Sequence, residues 1–285
     1  MKENLAIKKY SKRNNESFLF ILKNGMQSIL SSNYLAFQLA KRDISAQYRQ
    51  SFLGLLWTII LPLSTAVLWI FLKGSSTVTL EETGINYTLY VFIGTMSWAI
   101  LTESILGPIN STLTMRGTLS KINFPKEALI TSSVYKILFN TSVKLFILAL
   151  LLLFFKTSIN LNILLFPLAL FVILLFGISI GTLITPLGLL YGDVSKLMTP
   201  IMQILMYLSP VVFAMPSNKE GIYNKIIHLN PLSTLINNFR NTLLSQALEQ
   251  LNYFFIIFLV SFLIFCFALV VFKITIPIIT ERISA

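Results

Sequence analysis

Glu103 and Lys144 are the two charges that interrupt otherwise apolar runs of this chain. Ionised groups at membrane depth are costly unless they are paired or can reach water. Three roles are open to them: a structural ion pair, snorkelling towards the nearer interface, or a part in transport. The structural roles are the expectation. Covalent chemistry and nucleotide binding have no residues to carry them. There is no G-x-x-x-x-G-K-[ST] loop to cradle phosphates, no G-x-S-x-G elbow and no His/Glu metal spacing. The one cysteine, Cys266, lies in an apolar run, and the one histidine, His228, reads as a polar loop residue. Neither a disulfide within the chain nor a metal cluster can form from these. Glu103 is the one carboxylate within an apolar run, too few for a proton pump or a membrane hydrolase. The chain is therefore expected to be non-catalytic, with no metal and no cofactor of its own.

Aromatic residues form the second group. Trp57, Trp69, Tyr87, Tyr90, Phe92 and Trp98 fall on the first two apolar runs, and Tyr207 and Phe213 on the fifth. One reading is an interfacial belt or core packing. The other is a path lined by rings, on which the C–H faces of sugars stack. Such a path could pass a polysaccharide without gripping any one sugar. A third group is the loop containing Leu119, Lys121, Asn123, Phe124, Pro125, Lys126 and Glu127. Pro125 suits the first turn of a helix. An exposed Phe124 beside basic residues suits a docking knob, and an ordinary connector is the alternative.

The elements that position these groups are membrane helices. Only 12% of the 285 residues are charged and 55% are hydrophobic. Uncharged runs cover 52–72, 161–190, 197–214 and 253–272. Two more, 87–106 and 137–155, carry Glu103 and Lys144. A run of about 20 residues at ~1.5 Å rise reaches about 30 Å, the thickness of a bilayer core. The expected architecture is all-α and integral to the membrane, with six transmembrane helices. With six spans both termini share a side. That side holds sixteen Lys and Arg, against Lys73, Lys156, Lys219, Lys225 and Arg240 on the other. The positive-inside rule makes it cytoplasmic, and it accounts for the net charge of +11 without nucleic acid.

Residues 1–51 are expected to form a cytoplasmic arm. It is polar at first, and from Ser17 onward it has the spacing of an amphipathic helix. Leu35, Leu39, Ala40, Ile44 and Tyr48 share a face, Lys41, Arg42 and Arg49 point elsewhere, and Asn33 is the expected N-cap. A helix lying in the membrane interface is preferred over one packed on the protein's own loops. In the outer segment 215–252, Leu235, Phe239, Leu243, Ala247 and Leu251 recur every four residues. That stripe suits short re-entrant or surface-lying helices broken at Asn230-Pro231. A short tail, 276–285, follows the last span.

Four stretches, in order, carry a family resemblance. Arg42-Asp43, Tyr48-Arg49-Gln50-Ser51, Leu53-Gly54, Trp57 and Pro62 resemble the approach to the first span of ABC-transporter permeases that export polysaccharides. Gly94 and Trp98, followed by Leu119, Lys121 and Phe124-Pro125-Lys126-Glu127, resemble that family's coupling-helix loop. Tyr191-Gly192-Asp193-Val194 with Ser209-Pro210-Val211, and then Asn230-Pro231-Leu232 with Arg240, resemble its fifth span and outer gate. The family often has Arg where Gln47 and Gly192 stand, and Pro where Ile130 stands.

The resemblance implies a homodimer working with two separate ATP-binding cassette subunits, which hold the ATP and magnesium. It implies a coupling loop at 115–128 that contacts the ATPase. It implies a path with Trp57, Trp69, Tyr87, Tyr90, Trp98, Tyr207 and Phe213, and an outer gate with Asn230, Pro231 and Arg240. The implied cargo is a polysaccharide on undecaprenyl diphosphate, at the bacterial cytoplasmic (inner) membrane. Lys41, Arg42 and Arg49 either meet the diphosphate or simply set topology. Lipopolysaccharide O-antigen is the preferred cargo; capsule, teichoic acid or a small molecule, and an ATP-independent channel, are the alternatives.

Overall fold

A computed structural model describes residues 17–49, 52–75, 85–119, 121–157, 160–216, 221–244, 246 and 248–284. Among these the chain is helical, with no strand. Two short helices, α1 (Phe18–Ser31) and α2 (Asn33–Arg49), precede α3 (Trp57–Gly74) and α4 (Tyr87–Thr114). A single turn, α5 (Arg116–Leu119), leads to α6 (Ala128–Phe154), then α7 (Phe166–Leu190) and α8 (Gly192–Tyr207). The short α9 (Ile222–Leu229) and α10 (Pro231–Leu243) come before the long α11 (Leu251–Ser284). Among the described residues, five helices are long and apolar enough to cross a membrane: Gly54–Gly74, Tyr87–Thr114, Ala128–Phe154, Leu161–Leu190 and Leu251–Arg282.

The sixth expected span, 197–214, is not such a helix. The helix there starts earlier, at Gly192, and ends at Tyr207, and Ser209 and Pro210 follow in a turn. Sixteen residues reach about 24 Å, short of a bilayer core. At the other end of the chain, the 253–272 run is the middle of a longer helix. The expected tail, 276–285, continues α11 as far as Ser284 and carries Glu281 and Arg282.

The centre of the fold is α4, most of whose residues are buried. It packs against α7 through Gly177 and Gly181, one helical turn apart. A Cβ on either would collide with α4, at Ser104 and at the carbonyl of Ile105. Close backbone approach through a small-xxx-small pair is how membrane helices gain dispersion contact where no hydrophobic effect drives them together. On the far side of α7 lies α11, where the Ser179 hydroxyl donates to the Ser261 carbonyl. By contrast α3 is peripheral, with Leu61, Val67, Leu68 and Phe71 exposed.

The N-terminal arm forms two helices rather than one. Ser32 separates them, its hydroxyl donating to the Ser28 carbonyl at 2.6 Å. Asn33 is not a cap: its side-chain carbonyl accepts a hydrogen bond from the Tyr135 hydroxyl at 2.6 Å. The most deeply buried positions of α2 are Ala36 and Ala40, because α2 presses on α6. Large apolar side chains remain exposed on the arm, among them Leu19, Leu30, Tyr34 and Phe37.

In the outer segment the break falls at Asn230-Pro231 as expected, where Asn230 caps α10 by accepting from the Leu232 N–H. Almost all of α10 is buried, polar residues included, against α4, α7 and α11. The four-residue stripe ends at Leu243 rather than running on to Leu251, which opens α11; Ala247 lies outside the described residues.

Candidate functional site

A cavity of about 920 Å³ opens between α3, α4, α6 and α8. Its walls carry two kinds of side chain. Trp57 and Trp69 from α3, Trp98 from α4 and Tyr207 from α8 supply aromatic surface. Trp69 and Tyr207 approach with ring centroids 6.4 Å apart, joining α3 to α8. α6 lines the same cavity with Lys136, Asn140 and Lys144, four residues apart and so stacked on one side of the helix.

These α6 side chains are committed to partners on two other helices. The ammonium of Lys144 is paired with Glu103 of α4, and the Asn140 amide donates to the other Glu103 oxygen. The Asn140 carbonyl accepts from the Tyr48 hydroxyl of α2 at 2.8 Å. Lys136 bonds Asp43 of α2 at 2.9 Å. Burial, with the Glu103 charge adding to it, pushes Tyr48 up to about 12, so it remains a donor. Burial acts to raise Asp43, but the hydrogen bonds and charges of Lys136 and Arg42 outweigh it and hold the carboxyl below the ordinary aspartate range. The Glu103–Lys144 ion pair was legible from two lone charges on consecutive runs. The Asp43–Lys136 pair was missed, because a lysine near a span end reads as a topology signal.

Three of the expected path aromatics lie elsewhere. Tyr87 and Tyr90 donate their hydroxyls to the carbonyls of Val212 and Phe213, each at 3.0 Å, and Phe213 packs on the core. The chain after α8 is thus tied to the start of α4. Arg240 of α10 completes the tie. Fully buried, it donates to the carbonyls of Pro210 and Val211 at 2.9 and 2.7 Å. Its guanidinium lies 3.6 Å from the centre of the Tyr90 ring. Gly94 makes room, since a Cβ there would strike the Val211 carbonyl and Arg240. Asn230 joins the cluster by donating to the Leu208 carbonyl and the Ser209 hydroxyl. Pro231 opens α10 beside it.

At the opposite end of α4, the 115–128 loop has its own architecture. Leu119 is buried. Lys126 turns inward, donating to the carbonyls of Leu119 and Ile122 at 2.9 and 3.1 Å and lying 4.3 Å over the Phe124 ring. Burial lowers the Lys126 pKa. Phe124 is not the exposed knob expected from sequence: half of it is packed under Lys126 against a core of α6 and α11 residues. Glu127 is also buried, paired at 2.8 Å with Lys273 of α11, which in turn donates to Ser28 of α1. Among its described residues the loop exposes Arg116, Gly117, Lys121, Ile122, Asn123 and Pro125. α6 begins at Ala128, three residues after Pro125. Lys41, Arg42 and Arg49 are all exposed, and Arg42 also reaches Asp43 and the Met115 sulfur.

A profile of ABC-2 type transporters matches residues 34–244, which takes in the cavity, the 115–128 loop and α10. The chain belongs to the ABC-2 type transporter family. Two curated relatives of this ABC-2 chain are both called O-antigen export system permease protein RfbA. One, from Myxococcus xanthus, is 24% identical over 207 residues, covering 72% of this chain and 78% of the relative. The other, from Klebsiella pneumoniae, is 24% identical over 242 residues, covering 82% and 89%. As an ABC-2 permease the chain spans the membrane and works with ATP-binding subunits.

Proposed function

We propose that this chain is the membrane subunit of an ATP-driven exporter that carries a lipid-linked polysaccharide, O-antigen in kind, across the bacterial inner membrane. The observation that carries the reading is the cavity: aromatic rings and hydrogen-bonding side chains line it together, on α3, α4, α6 and α8. Sugars are held in just this way, by stacking on ring faces and by hydrogen bonds to hydroxyls. The names of the relatives point to the same cargo. Catalysis belongs to separate ATP-binding subunits with their ATP and magnesium.

Six crossings fit this role. The chain enters α8 beside the Arg116 end of α4, with Gly188 against Ile109. By residues 211–213 it is bonded at the Tyr87 end. Together, α8 and the turn after it cover the depth of α4, and α9 and α10 then remain at the outer mouth as its gate. α1, the Glu127 loop and Lys273 meet at the other end, consistent with both termini in the cytoplasm. Lys121, Ile122 and Asn123 form the ATPase contact. Lys41, Arg42 and Arg49 stand at the cytoplasmic mouth for the lipid diphosphate. A second copy faces the exposed side of α3, closing the cavity into a path.

A chromosomal deletion tests the proposal. Cells lacking this chain should retain undecaprenyl-diphosphate-linked glycan on the cytoplasmic face, and the wild-type gene should restore it to the surface. Normal surface glycan in the deletion strain would refute the reading.

A further inference from the structure

We infer that the cavity accepts an uncharged, hydroxyl-rich polymer and excludes a polyanionic one, and that Glu103 sets this preference by neutralising Lys144. The inference rests on the transport reading and narrows its substrate class.

It follows from the charge balance of the wall. The charged residues lining the cavity, among the described residues, are Glu103, Lys136 and Lys144. Lys136 is held by Asp43, and Lys144 by Glu103. Each ammonium that lines the cavity is thus held by a carboxylate, Asp43 being shared with Arg42 outside the lining, and none is left without an anionic partner. The Lys144 side chain is only 4% exposed, whereas that of Glu103 is 24% exposed. Of this pair, the charge nearer to an occupant is therefore negative.

A chain with a phosphate in every repeat would have to leave water for a wall with no spare cation and a facing carboxylate. Burying an anion without a counter-charge is strongly unfavourable. A sugar hydroxyl meets no such cost. It can donate to the Glu103 carboxylate, and exchange hydrogen bonds with the side-chain amides of Gln47, Asn110 and Gln203, which also line the cavity. The rings of Trp57, Trp69 and Tyr207 then take the apolar sugar faces. One diphosphate at the lipid end does not conflict with this, because the exposed Lys41 and Arg49 lie on the arm and do not line the cavity.

The test uses the permease together with its ATP-binding subunit in lipid nanodiscs. The readout is the concentration of lipid-linked glycan giving half-maximal ATPase stimulation. One glycan is a neutral homopolymer, the other carries a phosphodiester in each repeat. The wild type should respond to the neutral chain at a concentration at least about tenfold lower. Glu103→Gln frees the Lys144 charge and should lower the concentration needed for the anionic chain by about tenfold. Glu103→Gln with Lys144→Met removes both charges and should restore the wild-type preference. Equal wild-type responses to both chains, or no gain for the anionic chain in an assembled Glu103→Gln complex, would overturn the inference while leaving the transport reading intact. No stimulation by either chain would overturn both. Should Glu103→Gln fail to assemble, the wild-type comparison and the double variant still decide.

Discussion

The guanidinium of Arg240 lies over the ring of Tyr90, 3.6 Å from its centre, while its Nη2 donates to the carbonyls of Pro210 and Val211. One buried side chain thereby holds three elements: α10, α4 and the turn after α8. Hydrogen bonds from a charged group contribute about 1.5–3 kcal/mol each, and a desolvated cation–π contact about 2 kcal/mol. Arg240→Met leaves both carbonyls without this donor. We expect a loss of about 3 kcal/mol or more, read as a lower thermal midpoint in detergent. Tyr90→Leu should lose less, since it removes the ring and one hydrogen bond but spares those of Arg240. A variant as stable as wild type would show that the turn is held by something else.

The α4–α7 contact admits no side chain at Gly177 or Gly181. Gly181→Leu should force the helices apart and abolish accumulation of folded protein in the membrane. Gly192→Ala is the control, because nothing lies within 4 Å of its would-be Cβ. Equal membrane levels of the two variants would contradict the packing described.

In the loop, the proposed docking residues can be tested apart from the supporting ones. Combined alanine substitution of Lys121, Ile122 and Asn123 should leave insertion normal and uncouple ATP hydrolysis from export. Glu127→Gln should act differently, by leaving Lys273 without its counter-charge. Removing one partner of a buried pair costs about 3–5 kcal/mol, so lower stability is expected rather than uncoupling alone. Paired measurements of thermal midpoint and coupled export distinguish the two. Normal coupling in a folded triple variant would remove the loop from the ATPase contact.

Asp43 gives a pH dependence of known sign. Its folded pKa lies below the ordinary value, so its tie to Lys136 stabilises the protein above about pH 3.9 and is lost as pH falls through the folded value. Asp43→Asn should be less stable than wild type at pH 7, with the difference closing under acid. A stability difference that does not change with pH would contradict the assignment.

Much of this was legible in sequence, for physical reasons that also mark the limit. Long apolar runs marked all five of the long helices because a bilayer demands length, even where Glu103 and Lys144 interrupt them. The 197–214 run takes in two elements, the end of α8 and the turn after it, a break that Ser209 and Pro210 alone hinted at. Asn33 has the side chain of an N-cap, yet Tyr135, 102 positions away, claims it. Phe124 and Glu127 were read as docking residues because nothing local shows that Lys126 and Lys273 cover them. Tyr87 and Tyr90 resembled path aromatics because a ring's type does not reveal that its hydroxyl is spent on a distant carbonyl. For Asn33, Glu127, Tyr87 and Tyr90 a long-range partner, invisible to spacing, decided the contact.

The central claim is transport of a lipid-linked glycan powered by a separate ATPase. It is tested most directly by the ATPase rate of the purified complex of this chain and its ATP-binding partner in lipid, with and without undecaprenyl-diphosphate-linked O-antigen. The account predicts hydrolysis that needs both subunits and rises with the glycan. A rate indifferent to the glycan, or no ATP-binding partner that co-purifies, would contradict it.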